Sequence, residues 1–287
     1  MASFFVGMQH LLPQHLLSRG VMGATRVRAG WFKDALIGAF LKGYSPEMSD
    51  AAEPDPHAYP SFNAFFTRAL RPGARPVADA ADALASPVDG TVSQAGRIEG
   101  SRIFQAKGHH YSLEALLAGA APGWAEGFRN GSFATIYLAP YNYHRIHMPM
   151  DGVLRESWYV PGRLFSVNAE TAAGVPGLFA RNERVVCLFD GPAGPFAVIL
   201  VGALFVGSMG TVWHGDAIPH RSGRAERLEL NPTGHSLALA KGDELGRFNM
   251  GSTVILLFGQ DRAELLSRCV NGETVRMGEA IGRVRAA

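Results

Sequence analysis

Cysteine is almost missing from this chain. Cys187 and Cys269 are the two it has, and they form no Cys-x-x-Cys pair. A cysteine-based zinc site is thereby excluded, and buried free thiols in a reducing compartment are expected. No run of Lys or Arg occurs, and the net charge is only +2, which excludes a nucleic-acid binder built on a basic stripe. Also missing is any apolar run near the roughly 18 residues that a bilayer span needs. The opening residues lack the charged start and small-residue cleavage site of a signal peptide. Neither a repeat of fixed period nor a low-complexity tract is present.

What is there describes a globular chain. Hydrophobic residues make up 47% and charged residues 18% of 287 positions, enough for a sizeable core in one large domain or two small ones. Charge is unevenly placed: Arg19, Arg26, Arg28, Lys33 and Lys42 face Asp34 alone within residues 1–43. Phe4, Phe5, Met8, Leu11, Leu12, Leu16 and Leu17 recur at helical spacing there, with Pro13 expected to kink or divide the helix. Trp31, Phe32, Leu36, Phe40 and Leu41 predict a second amphipathic helix. Such a segment either lies in a membrane interface or packs on the domain. Residues 1–45 are therefore expected to be a basic amphipathic segment and residues 46–287 a catalytic domain.

EPDPHAYPS at 53–61 reads as a linker, FNAFFTRAL as a helix and RPGARP as an extended connector. Beyond about residue 84 the pattern turns strand-like: TVSQAGRI, FATIYLA, VLRESWYV, RVVCLFD, FAVILVGALFVG and STVILLF, with a short helix at SLEALLAG. The expected class is α+β, a β-rich barrel- or sandwich-like domain with N-terminal amphipathic helices.

Three places carry potential chemistry. SPVDGTV holds Asp89 in a turn, although Asp-Gly is also a routine turn dipeptide. APYNYHRIHMPMDG holds His144 and His147, which a helix would bring to one face and a strand would separate. Gly251 and Ser252 stand directly before an apolar strand, where a plain turn would equally suit them. A zinc site needs a third ligand and a His-Glu-x-x-His-like pattern that are not found, so no metal is expected. The nucleophile elbow of serine hydrolases is missing at Ser252, and VGSMG around Ser208 has Val206 in the first glycine position. No lysine lies in a carrier-type turn between methionines. Asp, His and Ser together can activate a hydroxyl, and Ser252 Oγ stands next to the Gly251 carbonyl behind it. Glycine tolerates the backbone contortion of such an attack.

FNAFFTRALRPGARP, SPVDGTVSQAG, AKGHHYSLEALLAG, YNYHRIHMPMDG, LFARNERVVCLFD and GRFNMGSTVILLF resemble, in order, the blocks of the phosphatidylserine decarboxylases of the bacterial membrane-associated type. Met250 stands where the family most often has leucine, a volume-conserving change. The resemblance implies a proenzyme that cuts itself between Gly251 and Ser252, giving a β chain of residues 1–251 and an α chain of residues 252–287 that stay together as a heterodimer. It also implies that Asp89 and His147 activate Ser252, which becomes a covalent pyruvoyl group. Phosphatidylserine would bind it as a Schiff base, lose carbon dioxide and leave as phosphatidylethanolamine, with His144 contacting substrate and donating the proton. A peripheral seat on the cytoplasmic side of the cell membrane, on anionic lipid, follows from the same resemblance, with Lys107 and Arg145 as candidate headgroup contacts. Further dimerisation is left open. An inactive membrane-bound homologue and a pyruvoyl-dependent decarboxylase of soluble amino acids are the rival expectations.

Overall fold

The computed structural model describes residues 4–119, 123–206, 208–217, 223–229 and 237–285. Three helices open it: α1 (Phe4–Leu11), α2 (Gln14–Thr25) and α3 (Gly30–Gly43). Pro13 falls between the first two, because it has no N–H to continue the helix. A short α4 (Phe62–Phe66) follows, capped by Ser61 Oγ, which accepts from the Ala64 N–H. The expected helix over FNAFFTRAL is thus only its first five residues.

The core is a nine-stranded antiparallel sheet. Its order runs from Glu226–Arg227 through Gly152–Val160, Arg184–Gly191, Gly194–Val201, Thr253–Phe258, Ser132–Tyr137 and Gly90–Arg97 to Thr274–Val275, with Leu237–Leu239 also pairing Gly152–Val160. The path has two ends, so among the described residues no barrel closes; the barrel-like expectation is corrected to an open sheet within an α+β fold. FAVILVGALFVG also ends as a strand at Val201, since Ala203–Phe205 turns away.

Thr253–Phe258 is the sheet's inner strand. All six residues are buried, and Thr253 stands opposite both Val201 and Tyr137. An unbroken apolar run suits a strand covered on both faces. A four-stranded sheet, ordered Gly215–Ala217, Met209–Thr211, Glu244–Phe248 and Arg145–His147, carries the histidine segment to the same end. A three-stranded sheet pairs Ala280–Val284 with Ala83–Ala85 and Ala263–Leu265. Both cysteines are buried free thiols.

The N-terminal helices are amphipathic in an inverted sense. Gln9, Gln14 and Ser18 are buried, whereas Leu11 is 87% and Leu16 70% exposed. The buried side chains act as connectors: Gln9 Oε1 accepts from the Ser166 N–H at 2.8 Å, Gln14 Oε1 from the Leu164 N–H at 3.0 Å, and Ser18 Oγ from the Phe205 N–H at 3.1 Å. Helix α3 packs inward through Ile37 and Phe40 on Phe62, Phe65 and Phe66, while Trp31 stays 78% exposed. Apart from Val6, which joins the core, the buried side chains of α1 and of the start of α2 are thus polar, while Leu11 and Leu16 face out.

Candidate active site

Ser252 immediately precedes the inner strand. It is completely buried, and its Oγ has no hydrogen-bond partner among the described residues. Its carbonyl accepts from the Leu138 N–H at 2.8 Å, which extends the strand ladder to the serine itself. Two residues earlier, Met250 packs against both the main core and the α3–α4 aromatic cluster. Asn63 of α4 donates to the Asn249 carbonyl at 3.1 Å, so the segment before Gly251 is held from two sides.

Gly251 is closely packed by what faces it. A Cβ there would lie 3.2 Å from His144 Nε2 and 3.4 Å from the Leu138 carbonyl oxygen. His144 is fully buried, and its Nδ1 is 2.8 Å from the Asn142 carbonyl oxygen. That carbonyl can only accept, so the ring proton sits on Nδ1 and Nε2 carries the lone pair. Nε2 has no partner. Burial, reinforced by the Arg68 charge, pulls the imidazole pKa down to about 3, so the ring is neutral and a free acceptor. The Phe66 ring lies 4.1 Å from it, centroid to centroid, which fixes its plane.

His147 is placed differently. The short strand Arg145–His147 takes the two histidines apart, since neighbours in a strand point to alternate faces. Its Nδ1–H donates to the Gly242 carbonyl at 2.8 Å, and its Nε2 accepts from Tyr143 Oη at 2.9 Å. Burial lowers its pKa as well. Asp89 is buried, and its carboxylate accepts from Arg75 Nε at 3.0 Å, Arg75 Nη2 at 2.7 Å and the Met277 N–H at 2.8 Å. Among the described residues no hydrogen bond joins Asp89 to His147, or His147 to Ser252. Gly90, beside Asp89, has no room for a side chain, as a Cβ would meet the Tyr137 carbonyl oxygen at 2.5 Å.

The structure therefore brings Gly251, Ser252 and His144 together and seats Asp89 and His147 on Arg75 and Tyr143. Sequence reasoning missed these last two, although both lie inside quoted blocks, RPGARP and YNYHRIH. Phe66 and Asn63 were also missed, because no periodicity marks a side chain that reaches across from another element. Lys107 is exposed in the turn between Arg102–Ala106 and His109–Ser112. Among the described residues no three His, Cys, Asp or Glu side chains converge as metal ligands would.

Next to Gly251 opens a cavity of about 560 Å³, lined by Phe40, Tyr44, Tyr137, Tyr141 and Phe205 among others. Tyr44, Tyr141 and Phe205 are each more than 40% exposed, which makes an aromatic rim. Phe205 is held by Ser18 of α2, so the rim adjoins the helix whose apolar side chains face out. No helix among the described residues is long and apolar enough to cross a membrane.

Comparison with known proteins gives consistent answers. The family model described as phosphatidylserine decarboxylase matches residues 62–283, and one described as PSD matches residues 4–45. A phosphatidylserine decarboxylase proenzyme of Methylococcus capsulatus is 50% identical over 281 residues, covering 98% of this chain and 96% of its own. Proteins of the same name from Idiomarina loihiensis and Acidovorax ebreus are 51% and 54% identical, covering 96% and 95% of this chain and 95% of their own length in each case. With the family model matching residues 62–283 and relatives along nearly the whole length, the chain belongs to the phosphatidylserine decarboxylase family, whose members are self-processing decarboxylases.

Proposed function

We propose that the chain cuts itself between Gly251 and Ser252 and then converts phosphatidylserine to phosphatidylethanolamine and carbon dioxide. One observation carries this: two buried atoms without a partner among the described residues, Ser252 Oγ and His144 Nε2, flank a tightly packed glycine. In the first stage Ser252 Oγ attacks the Gly251 carbonyl carbon while a histidine takes its proton. The Gly251–Ser252 peptide bond becomes an ester and the serine nitrogen is freed as an amine. Elimination then removes the Ser252 α-proton, breaks the Cβ–Oγ bond and releases the Gly251 carboxylate; the enamine left behind tautomerises to an imine, and water hydrolyses it, releasing ammonia and leaving a pyruvoyl group at position 252. That group supplies the electron sink for decarboxylating an amine-bearing substrate. The residues fit it, because position 252 is buried, held by the Leu138 N–H, and next to the aromatic cavity.

As the family resemblance implies, His147 oriented by Asp89 is the maturation base, and His144 contacts substrate and returns a proton to it. For that, Tyr143 must release His147 Nε2 and Asp89 must exchange Arg75 for the imidazole. A second assignment is favoured by the unpartnered His144 Nε2 beside Gly251: His144 itself takes the serine proton. Intact mass of His144→Ala, His147→Ala and Ser252→Ala variants separates these, since only the maturation base and the nucleophile leave one uncut chain. Decarboxylation of phosphatidylserine in detergent tests the reaction; a wild-type protein that stays one chain on incubation would sink it.

The products would be a β chain of residues 1–251 and an α chain of residues 252–287. Their association is supported by the α chain's seat at the middle of the sheet and by the pairing of Ala280–Val284 with Ala83–Ala85. A peripheral seat on the cell membrane is supported by the outward Leu11, Leu16 and Trp31 and by the basic charge of residues 1–43.

A further inference from the structure

A second cleft, of about 480 Å³, is lined by neither Gly251, Ser252 nor His144. Four arginines line it, Arg28, Arg68, Arg145 and Arg247, and Glu53 is the one carboxylate in its wall. Glu53 is turned to its own loop, where Oε1 accepts from the Asp55 N–H at 2.9 Å. Arg145 is neutralised by Glu244 at 2.8 Å. Arg28 and Arg247 make no side-chain hydrogen bond or ion pair among the described residues. Arg68 is the unusual member. It is 3% exposed, yet among the described residues its guanidinium has no carboxylate partner, its Nη2 donates to the Tyr141 carbonyl at 3.3 Å, its Nε has no partner, and the Phe65 ring lies 6.0 Å away. The nearby Asp89 is already held by Arg75. A buried cation left without a counter-ion is costly, and such a guanidinium is satisfied by an anion that enters the cleft.

The other polar groups of the wall are spent on the frame. Tyr59 Oη donates to the Glu53 carbonyl at 2.8 Å, Thr67 Oγ1 to the Asn63 carbonyl at 2.8 Å, and Asn63 Nδ2 to the Asn249 carbonyl at 3.1 Å. The free donors are therefore the Ser61 hydroxyl and guanidinium N–H groups, whose planar fork matches phosphate oxygens. We propose that this cleft is a binding site for a phosphate group, that of an anionic phospholipid headgroup or free phosphate, separate from the reaction cavity. Arg28 lies on the connection between α2 and α3, so the site stands on the segment whose apolar side chains face out. An anion there would also press on the chain that carries the reaction, because Arg68 holds Tyr141, which lines the cavity beside Gly251.

The test is calorimetric titration of the full chain with two soluble probes, inorganic phosphate and glycerophosphoglycerol, the deacylated headgroup of phosphatidylglycerol. Wild type is compared with Arg68→Met and with the double variant Arg28→Gln/Arg247→Gln, whose exposed positions leave folding intact. Saturable binding that weakens about tenfold or more in the double variant is expected. Tighter binding of glycerophosphoglycerol assigns the site to a lipid headgroup, and tighter binding of inorganic phosphate assigns it to the free ion. No binding of either probe, or binding unchanged in the double variant, overturns the proposal. Intact mass of the same samples reports self-cleavage separately, so failure of the anion site and failure of maturation are distinguishable.

Discussion

Arg75 grips Asp89 with two nitrogens, Nε at 3.0 Å and Nη2 at 2.7 Å, and sends Nη1 to Asp50 at 2.6 Å, with all three side chains largely out of water. These hydrogen bonds and charges raise the Arg75 pKa and lower that of Asp50. Arg75→Met would leave the buried Asp89 without its cation, while Asp50 would keep Arg71 at 3.7 Å. Breaking a buried pair from one side costs about 3–5 kcal/mol. Urea unfolding should show a loss of that order; a loss under about 1 kcal/mol would mean that water or another cation already serves Asp89.

Gly251→Ala places a methyl group 3.2 Å from His144 Nε2 and 3.4 Å from the Leu138 carbonyl oxygen. The imidazole must give by a few tenths of an ångström, which shifts it against the serine. Self-cleavage followed by gel should slow at least tenfold, on the order of 1.4 kcal/mol in the barrier, with the fold intact by circular dichroism. Unaltered cleavage would remove His144 from the first stage.

Acid should weaken the fold through His144. Its folded pKa of about 3 lies well below the ordinary 6.5 of the unfolded ring. Between those values the unfolded chain binds the extra proton, so this contribution is complete above pH 6.5 and is lost as pH falls towards 3. The slope from one such group approaches about 1.4 kcal/mol per pH unit, and His147 is shifted in the same direction. Unfolding free energy measured from pH 7 to pH 5 should fall accordingly, and His144→Gln should flatten the curve.

Glu183 works in the opposite sense. Burial raises its carboxyl to about 8 from an ordinary 4.5, so the folded chain holds the extra proton. Its contribution is present below 4.5 and is lost as pH rises to 8. Glu183→Gln keeps the shape without the charge. The variant should gain stability over wild type at pH 8, on the order of a few kcal/mol, and little at pH 5.

The outward apolar side chains of the N-terminal helices can be removed without touching what those helices hold. Leu11→Ser with Leu16→Ser should weaken cosedimentation with anionic liposomes while leaving the unfolding midpoint near that of wild type. Gln14→Ala should do the reverse, since the Leu164 N–H and Arg163 Nε lose their acceptor, at about 1–3 kcal/mol. Deleting residues 2–43 would be a poor substitute, because it strips Ile37 and Phe40 from the aromatic cluster as well.

Much of this protein was already present in local pattern. The run TVILLF required a strand covered on both faces, Pro13 required a break between helices, and Gly251-Ser252 stood directly before that strand. Each of these follows from neighbours in the chain, where periodicity and backbone freedom act. Local pattern also put α1 and α2 on the surface with one apolar face, but not which face meets the protein. Tertiary structure decided that, by burying Gln9, Gln14 and Ser18 as acceptors for backbone N–H groups. It also decided which histidine faces Gly251 and which cation holds Asp89. Those outcomes depend on atoms brought together from residues tens to hundreds of positions apart, whose desolvation and hydrogen bonding no local window contains.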